Sequence, residues 1–168
     1  MQARIVIKNI ELDGRAWQLR KFTAMDGIKL GKMIVGRLVP IVEGLIKDGN
    51  IDTAKSITSS LTQIDGDLLE NIPIGKISEL LNQISDDDLD YIKNKCFCNI
   101  SEMLGGGATQ ILSANGFYQI PDVEYDPQLF VMLLWEQLKF GLSDFFDGNR
   151  WKSFFPTPAD SLDLSAAM

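Results

Sequence analysis

Asp126-Pro127-Gln128-Leu129-Phe130-Val131-Met132-Leu133-Leu134-Trp135-Glu136-Gln137-Leu138-Lys139-Phe140-Gly141-Leu142-Ser143-Asp144-Phe145-Phe146 is the strongest structural signal in the chain. The Asp126 carboxylate can accept from the free amides of a first helical turn, and Pro127 follows where a missing N–H costs nothing. Apolar residues then recur at helical spacing, with an inner line of Phe130 or Val131, Leu134, Trp135, Leu138, Leu142, Phe145 and Phe146. The helix empties into Asp147-Gly148-Asn149-Arg150-Trp151-Lys152-Ser153-Phe154-Phe155. Beyond it, Pro156 to Met168 reads as a disordered tail. Trp and paired Phe favour burial, either in the chain's own core or against a partner.

Moving back from this helix, Ser113-Ala114-Asn115-Gly116 lies between two apolar runs, and Asn-Gly there predicts a small hairpin over 108–120. The three glycines at 105–107 read as a flexible hinge between a helix and that hairpin. Ser85-Asp86-Asp87-Asp88 looks like a cap with acids in a first turn, opening a helix on which Leu89, Ile92, Cys96 and Ile100 share a face. Two further helix candidates are a Ser/Thr-rich one over 52–64 and one with Ile74, Ile77, Leu80, Leu81 and Ile84 at helical spacing. A long helix from Gly27 carries Ile28, Leu30, Met33, Ile34, Leu38, Ile41, Val42, Leu45 and Ile46, capped by Thr23 or Asp26 and kinked by Pro40. Before it, Asp13-Gly14 separates two strand-like runs and predicts an N-terminal hairpin.

These readings give a mainly α fold with small antiparallel β-hairpins, an α+β arrangement in a compact helical domain. The expected organisation is one domain over 1–147, followed by a flexible tail over 148–168. The domain holds a hairpin at 4–22, a helical middle at 26–104, a hairpin at 108–120 and a C-terminal helix at 127–146. The chain's 168 residues, 45% hydrophobic, suffice for one core.

Composition narrows the chemistry. There is no histidine, so no Ser-His, Cys-His or His-metal arrangement can be drawn. Cys96 and Cys98 lie too close together to staple a fold and lack the second half of a zinc site; they read as reduced thiols. Asp86-x-Asp88-x-Asp90 opens like a calcium loop but has Tyr91 where the loop needs Gly and Phe97 where it needs Glu. The carboxylates at Asp65/Asp67 and Glu124/Asp126 read as turn chemistry. Catalytic, cofactor-binding and metal residues are therefore expected to be absent. A net charge of −7 argues against nucleic acid as a partner. The longest apolar run, Leu129 to Trp135, falls far short of the roughly 20 residues of a membrane span.

The aromatic end is the exception. Trp135, Phe140 and Phe145 fit either core packing or a partner surface. Trp151, Phe154 and Phe155 lie beyond Gly148-Asn149, beside Arg150 and Lys152, and aromatics with Arg are the usual anchors of recognition. With Phe146, these form the predicted partner-binding set.

Two stretches carry a family resemblance. One is Trp17-Gln18-Leu19-Arg20-Lys21-Phe22 running into Ala24-Met25-Asp26-Gly27-Ile28-Lys29-Leu30. The other is the closing helix from Trp135 to Phe146. In this order of elements the chain resembles the tail assembly chaperones of long-tailed bacteriophages. The tail beyond Phe146, with Trp151 and Phe154-Phe155, departs from that pattern. The resemblance implies a non-enzymatic protein without cofactor, working in the host bacterial cytoplasm and missing from the mature virion. It implies binding to the tape measure protein and recruitment of tail tube protein, while charge and the short apolar runs leave no nucleic acid and no membrane among the expected partners. The alternatives are a tail or baseplate adaptor retained in the virion, or a small acidic regulatory binding protein. Exposed apolar faces are compatible with a homo-oligomer, and no heptad is sustained long enough to specify one.

Overall fold

Asp13 and Gly14 both take positive φ, 55° and 67°, the backbone of a tight two-residue turn between strands. They join β1 (Ile7–Leu12) to β2 (Arg15–Arg20) as an antiparallel hairpin, in register from Ile7 opposite Arg20 to Leu12 opposite Arg15. The computed structural model describes residues 5–49, 52 and 81–144. Within these, the chain continues through α1 (Ala24–Lys47), α2 (Asp86–Phe97), β3 (Ile100–Leu104), β4 (Gly107–Gln110), α3 (Pro121–Tyr125) and α4 (Pro127–Leu142).

The expectation of a mainly helical fold with small hairpins is overturned. The strands form one four-stranded antiparallel sheet in the order β1-β2-β3-β4, and the described residues are 51% helix and 22% strand, a balanced α+β composition. The joint is the pairing of β2 with β3, Trp17 opposite Glu102 and Leu19 opposite Ile100. The second hairpin is also displaced. Gly105-Gly106 is not a hinge but the turn of β3–β4, with Leu104 opposite Gly107. The Ser113–Gly116 turn closes a shorter antiparallel pairing outside the sheet, the bridge of Leu112 with Tyr118, flanked by the Ser113 amide donating to the Phe117 carbonyl at 2.9 Å and the Gln119 amide to the Ile111 carbonyl at 2.8 Å. Ile100, expected on a helix, lies in β3. The helix stops before it because the Asn99 side chain donates to the Lys95 carbonyl at 2.8 Å, taking an acceptor that the next turn would have used.

The chain divides into two compact units. The first comprises Met1–Asp26 with Asp86–Gly141, the second Gly27–Ser85 with Leu142–Met168. In the first unit one face of the sheet is buried and one is open. Trp17, Leu19, Ile100 and Glu102 lie on the buried face, in a core with Ile92, Cys96 and Phe97 of α2, Val123 of α3, and Leu129, Leu133, Leu134 and Leu138 of α4. The Phe97 ring meets Phe130 edge-on at 4.8 Å between centroids. The open face carries a polar row of Asn9, Gln18, Ser101 and Gln110 across all four strands. In the second unit α1 holds Leu30 and Ile34 as buried side chains, one turn apart. Its start is settled in favour of Thr23, whose Oγ1 accepts the Asp26 amide at 3.3 Å. The helix candidates over 52–64 and 73–84 and the tail expected over 148–168 lie largely or wholly outside the described residues.

One charged side chain lies almost wholly inside the first unit. Glu102 is 7% exposed and sits opposite Trp17 on the core face. The Arg15 guanidinium holds it with two parallel bonds, Nε and Nη2 each 2.7 Å from a carboxylate oxygen. A third bond from Nη1 reaches Asp122 of α3 at 3.2 Å, and the guanidinium covers the Trp17 ring at 4.9 Å. Hydrogen bonding to Glu102 raises the Arg15 pKa, so the guanidinium keeps its charge. Arg15→Met leaves a carboxylate in the core without its counter-charge. We expect a loss of about 2–3 kcal/mol, less than for a fully buried pair because Arg15 keeps some solvent contact. Arg15→Met with Glu102→Met should recover most of that loss in urea denaturation.

Candidate protein-binding surface

α4 is positioned at its start by its own sequence. Asp126 Oδ1 accepts the amides of Gln128 and Leu129 at 3.0 and 3.1 Å, and Pro127 opens the helix. Its buried side consists of Leu129, Leu133, Leu134, Gln137, Leu138, Gly141 and Leu142, in steps of four, one and three. Leu134, Leu138 and Leu142 of the line drawn on the sequence are on this side, whereas Phe130, Val131 and Trp135 are half-buried at its rim. On the outer side Gln128 and Met132 are exposed, while Val131, Trp135, Glu136 and Lys139 are half-buried. Glu136 and Lys139 pair at 2.7 Å.

Gln137 is fully buried because it joins helix to sheet. Its Nε2 donates to the Arg20 carbonyl at 2.7 Å, where β2 ends, and its Oε1 has no donor among the described residues. Near the end of the helix, Lys21 Nζ donates to the Phe140 carbonyl and stands 4.3 Å from the centroid of the Phe140 ring. Gly141 is required by the Phe22 ring, which occupies the space a β-carbon would fill. Sequence order thus brings Phe22 and Lys21, at the mouth of the N-terminal hairpin, against the C-terminal helix.

Of the predicted partner-binding residues, Trp135 and Phe140 are half-buried on α4. Phe145, Phe146, Trp151, Phe154 and Phe155 lie outside the described residues. Several exposed apolar groups escaped the sequence reading: Phe117 at 73%, Tyr125 at 79%, and the run Ile5-Val6-Ile7 at the start of β1. Phe117 follows Gly116 at the tip of a turn, and Tyr125 precedes the Asp126 cap. Those neighbours were the available signal that each ring stands away from the core. Ile5-Val6-Ile7 looks like any strand start, and only the strand order makes it an edge.

The described residues offer little for catalysis. A cleft of about 420 Å3 is lined by Asp26, Asn94, Lys95, Cys98, Asn99 and the Ser113–Gly116 turn. Asp26 and Lys95 neutralise each other across 3.0 Å, which raises the Lys95 pKa and ties up its amine. No group of His, Cys, Asp or Glu capable of holding a metal occurs among the described residues. No helix among them is long and apolar enough to cross a membrane. The Cys96 thiol is fully buried, and desolvation pushes its pKa well up, whereas Cys98 is half-buried at the cleft. Iodoacetamide should therefore alkylate Cys98 in the native protein and Cys96 only after unfolding, as read by peptide mass spectrometry.

A family model described as phage tail assembly chaperone protein matches residues 13–153. No curated protein and no solved structure matches the chain.

Proposed function

Because the chain belongs to the phage tail assembly chaperone family, we propose that it binds the tape measure protein and helps recruit tail tube subunits. Its general role, as a chaperone of tail assembly, comes with that membership, and such families are typically non-catalytic. It works in the host cell while tails are being assembled. The finer reading, of one client and one recruited subunit, rests on the family match together with the aromatic C-terminal end. A tape measure protein is long and helical, and its apolar stripe is unprotected until tube subunits surround it. A chaperone for such a client needs apolar anchors to cover that stripe and a charged exterior to keep the complex dispersed. Trp135 and Phe140 on α4, followed by Phe145, Phe146, Trp151, Phe154 and Phe155, are the proposed anchors. A net charge of −7 supplies the dispersing exterior. The proposed layout is a single domain over 1–147 that presents the segment over 148–168 to the client.

The competing reading is an adaptor that stays in the tail. Quantitative mass spectrometry of purified particles, set against the lysate from which they came, separates the two. A chaperone is abundant in the lysate and missing from the particles. A fixed number of copies per particle would replace this reading with the adaptor.

A further inference from the structure

We propose that the free edge of β1 is a docking site for an extended segment of another protein, which adds a strand to the sheet. β1 is the first strand in the order β1-β2-β3-β4, so one of its sides pairs with β2 and the other with no described strand. The pairing continues one residue past the strand, since the Lys21 amide donates to the Val6 carbonyl at 2.9 Å. That bond fixes the alternation of the antiparallel ladder. Val6, Lys8, Ile10 and Leu12 direct their backbone groups toward β2, and Ile7, Asn9 and Glu11 direct theirs outward. The outward N–H and C=O groups recur every two residues, roughly 6.8 Å apart, a spacing that another extended chain reproduces and a helix does not.

The side chains along this edge match a strand as well. Ile5, Val6 and Ile7 are 71%, 55% and 43% exposed, and they fall alternately on the two faces of the sheet. Natural sheet edges are usually blunted by proline, by a bulge or by charge, Lys above all, and of these β1 carries only charge, with Lys8 on the core face. None of the residues from Ile5 to Leu12 is proline, and the β1–β2 register runs without a bulge.

Charge selects the kind of occupant. Lys8 lies on the face of Trp17 and Leu19, and Glu11 on the opposite, open face. Neither has an ion-pair or hydrogen-bond partner among the described residues. A second copy of this chain pairing edge to edge sets Lys8 against Val6, Ile10, Leu12 or another Lys8, never against an acid, because Glu11 projects on the other face. A different strand, with an acid beside Lys8, a base beside Glu11 and β-branched residues beside Ile5, Val6 and Ile7, satisfies both charges and covers the apolar run. The occupant is therefore a segment of a different protein with that pattern. This edge acts through backbone groups of β1 and not through the aromatic residues proposed as tape measure anchors, so the tape measure reading can fail without it.

The probe is the heptapeptide Lys-Val-Thr-Glu-Val-Ile-Thr, which in antiparallel register sets its Lys beside Glu11 and its Glu beside Lys8. Amide hydrogen exchange of the full chain is followed by NMR with and without peptide. In the free protein the amides of Ile7, Asn9 and Glu11 should exchange quickly, and those of Lys8, Ile10 and Leu12 slowly. At about 1 mM peptide the first three should slow by about tenfold or more. A peptide N-methylated at the amides that face β1 should have no effect, and one with its Lys and Glu exchanged should bind more weakly. Asn9→Pro removes an outward N–H that β2 does not use. It should abolish peptide protection while leaving Lys8, Ile10 and Leu12 slow, which shows that the hairpin still forms. Three results would overturn the proposal: no protection at 1 mM, equal protection by the N-methylated peptide, or outward amides already slow in a free protein that sediments as a dimer. The last would mean that a second copy fills the edge.

Discussion

Trp17→Ala should destabilise the protein by about 3–5 kcal/mol, a large share of the 5–15 kcal/mol that holds most domains folded. The ring is fully buried in the second strand of the sheet, opposite Ile10 on one side and Glu102 on the other. Its Nε1 donates to the Leu12 carbonyl at 3.1 Å, closing the N-terminal hairpin from inside, and the Arg15 guanidinium lies over its face. Removing the ring opens a cavity, frees the Leu12 carbonyl and strips the support from the ion pair that neutralises Glu102. Urea denaturation should show a lower midpoint with an unchanged slope, the mark of lost stability rather than altered compactness. Trp17→Phe keeps most of the packing and loses the hydrogen bond, so its cost should fall to about 1–2 kcal/mol. Equal midpoints for wild type and Trp17→Ala would mean that the β2–β3 joint does not anchor the fold.

Changing Phe145, Phe146, Trp151, Phe154 and Phe155 together to Ser should weaken binding to the tape measure protein by about a hundredfold or more. Buried aromatic anchors each contribute on the order of 2 kcal/mol at a protein interface, and tenfold in affinity is about 1.4 kcal/mol. Arg150→Ala with Lys152→Ala should have a smaller effect that shrinks further as salt is added, because exposed charges are screened. Titration calorimetry at two salt concentrations reads both. If the serine variant keeps wild-type affinity while its circular dichroism is unchanged, the client contact lies elsewhere on the chain. If wild-type binding itself collapses with salt, the acidic surface rather than the aromatic end carries recognition.

The local signals were legible in the sequence and the long-range ones were not. Asp13-Gly14, Thr23 and Asp126-Pro127 each act within a few residues, and the turn and both helix caps occur where those residues lie. The joint between β2 and β3 brings together residues more than eighty positions apart, and no periodicity within either strand announces it. The N-terminal hairpin therefore read as an ornament on a helical domain when it is half of one sheet, whose other half, β3 and β4, lies where the end of a helix and a glycine hinge were expected. Turn chemistry misled in a second way. Asn115-Gly116 is a better hairpin signal than Gly105-Gly106 in isolation, yet the residues before the glycines, Ile100 to Leu104, are the ones that find a partner in β2. Glu102 could not be foreseen as a core residue, since only Arg15, far away in sequence, makes its burial tolerable. At the candidate surface, helical spacing located α4. Leu134, Leu138 and Leu142 were legible on its buried side, but Gln137, a polar residue, was not, because it takes a core position only through its bond to Arg20.

Co-expression shows whether this protein keeps another tail protein soluble by covering its apolar surface. The tape measure protein is produced in bacteria with and without this chain, and its soluble fraction is measured. Alone it should be largely insoluble, and with this chain it should move into a soluble complex that contains both. A soluble fraction that is the same with and without the chain would contradict the claim.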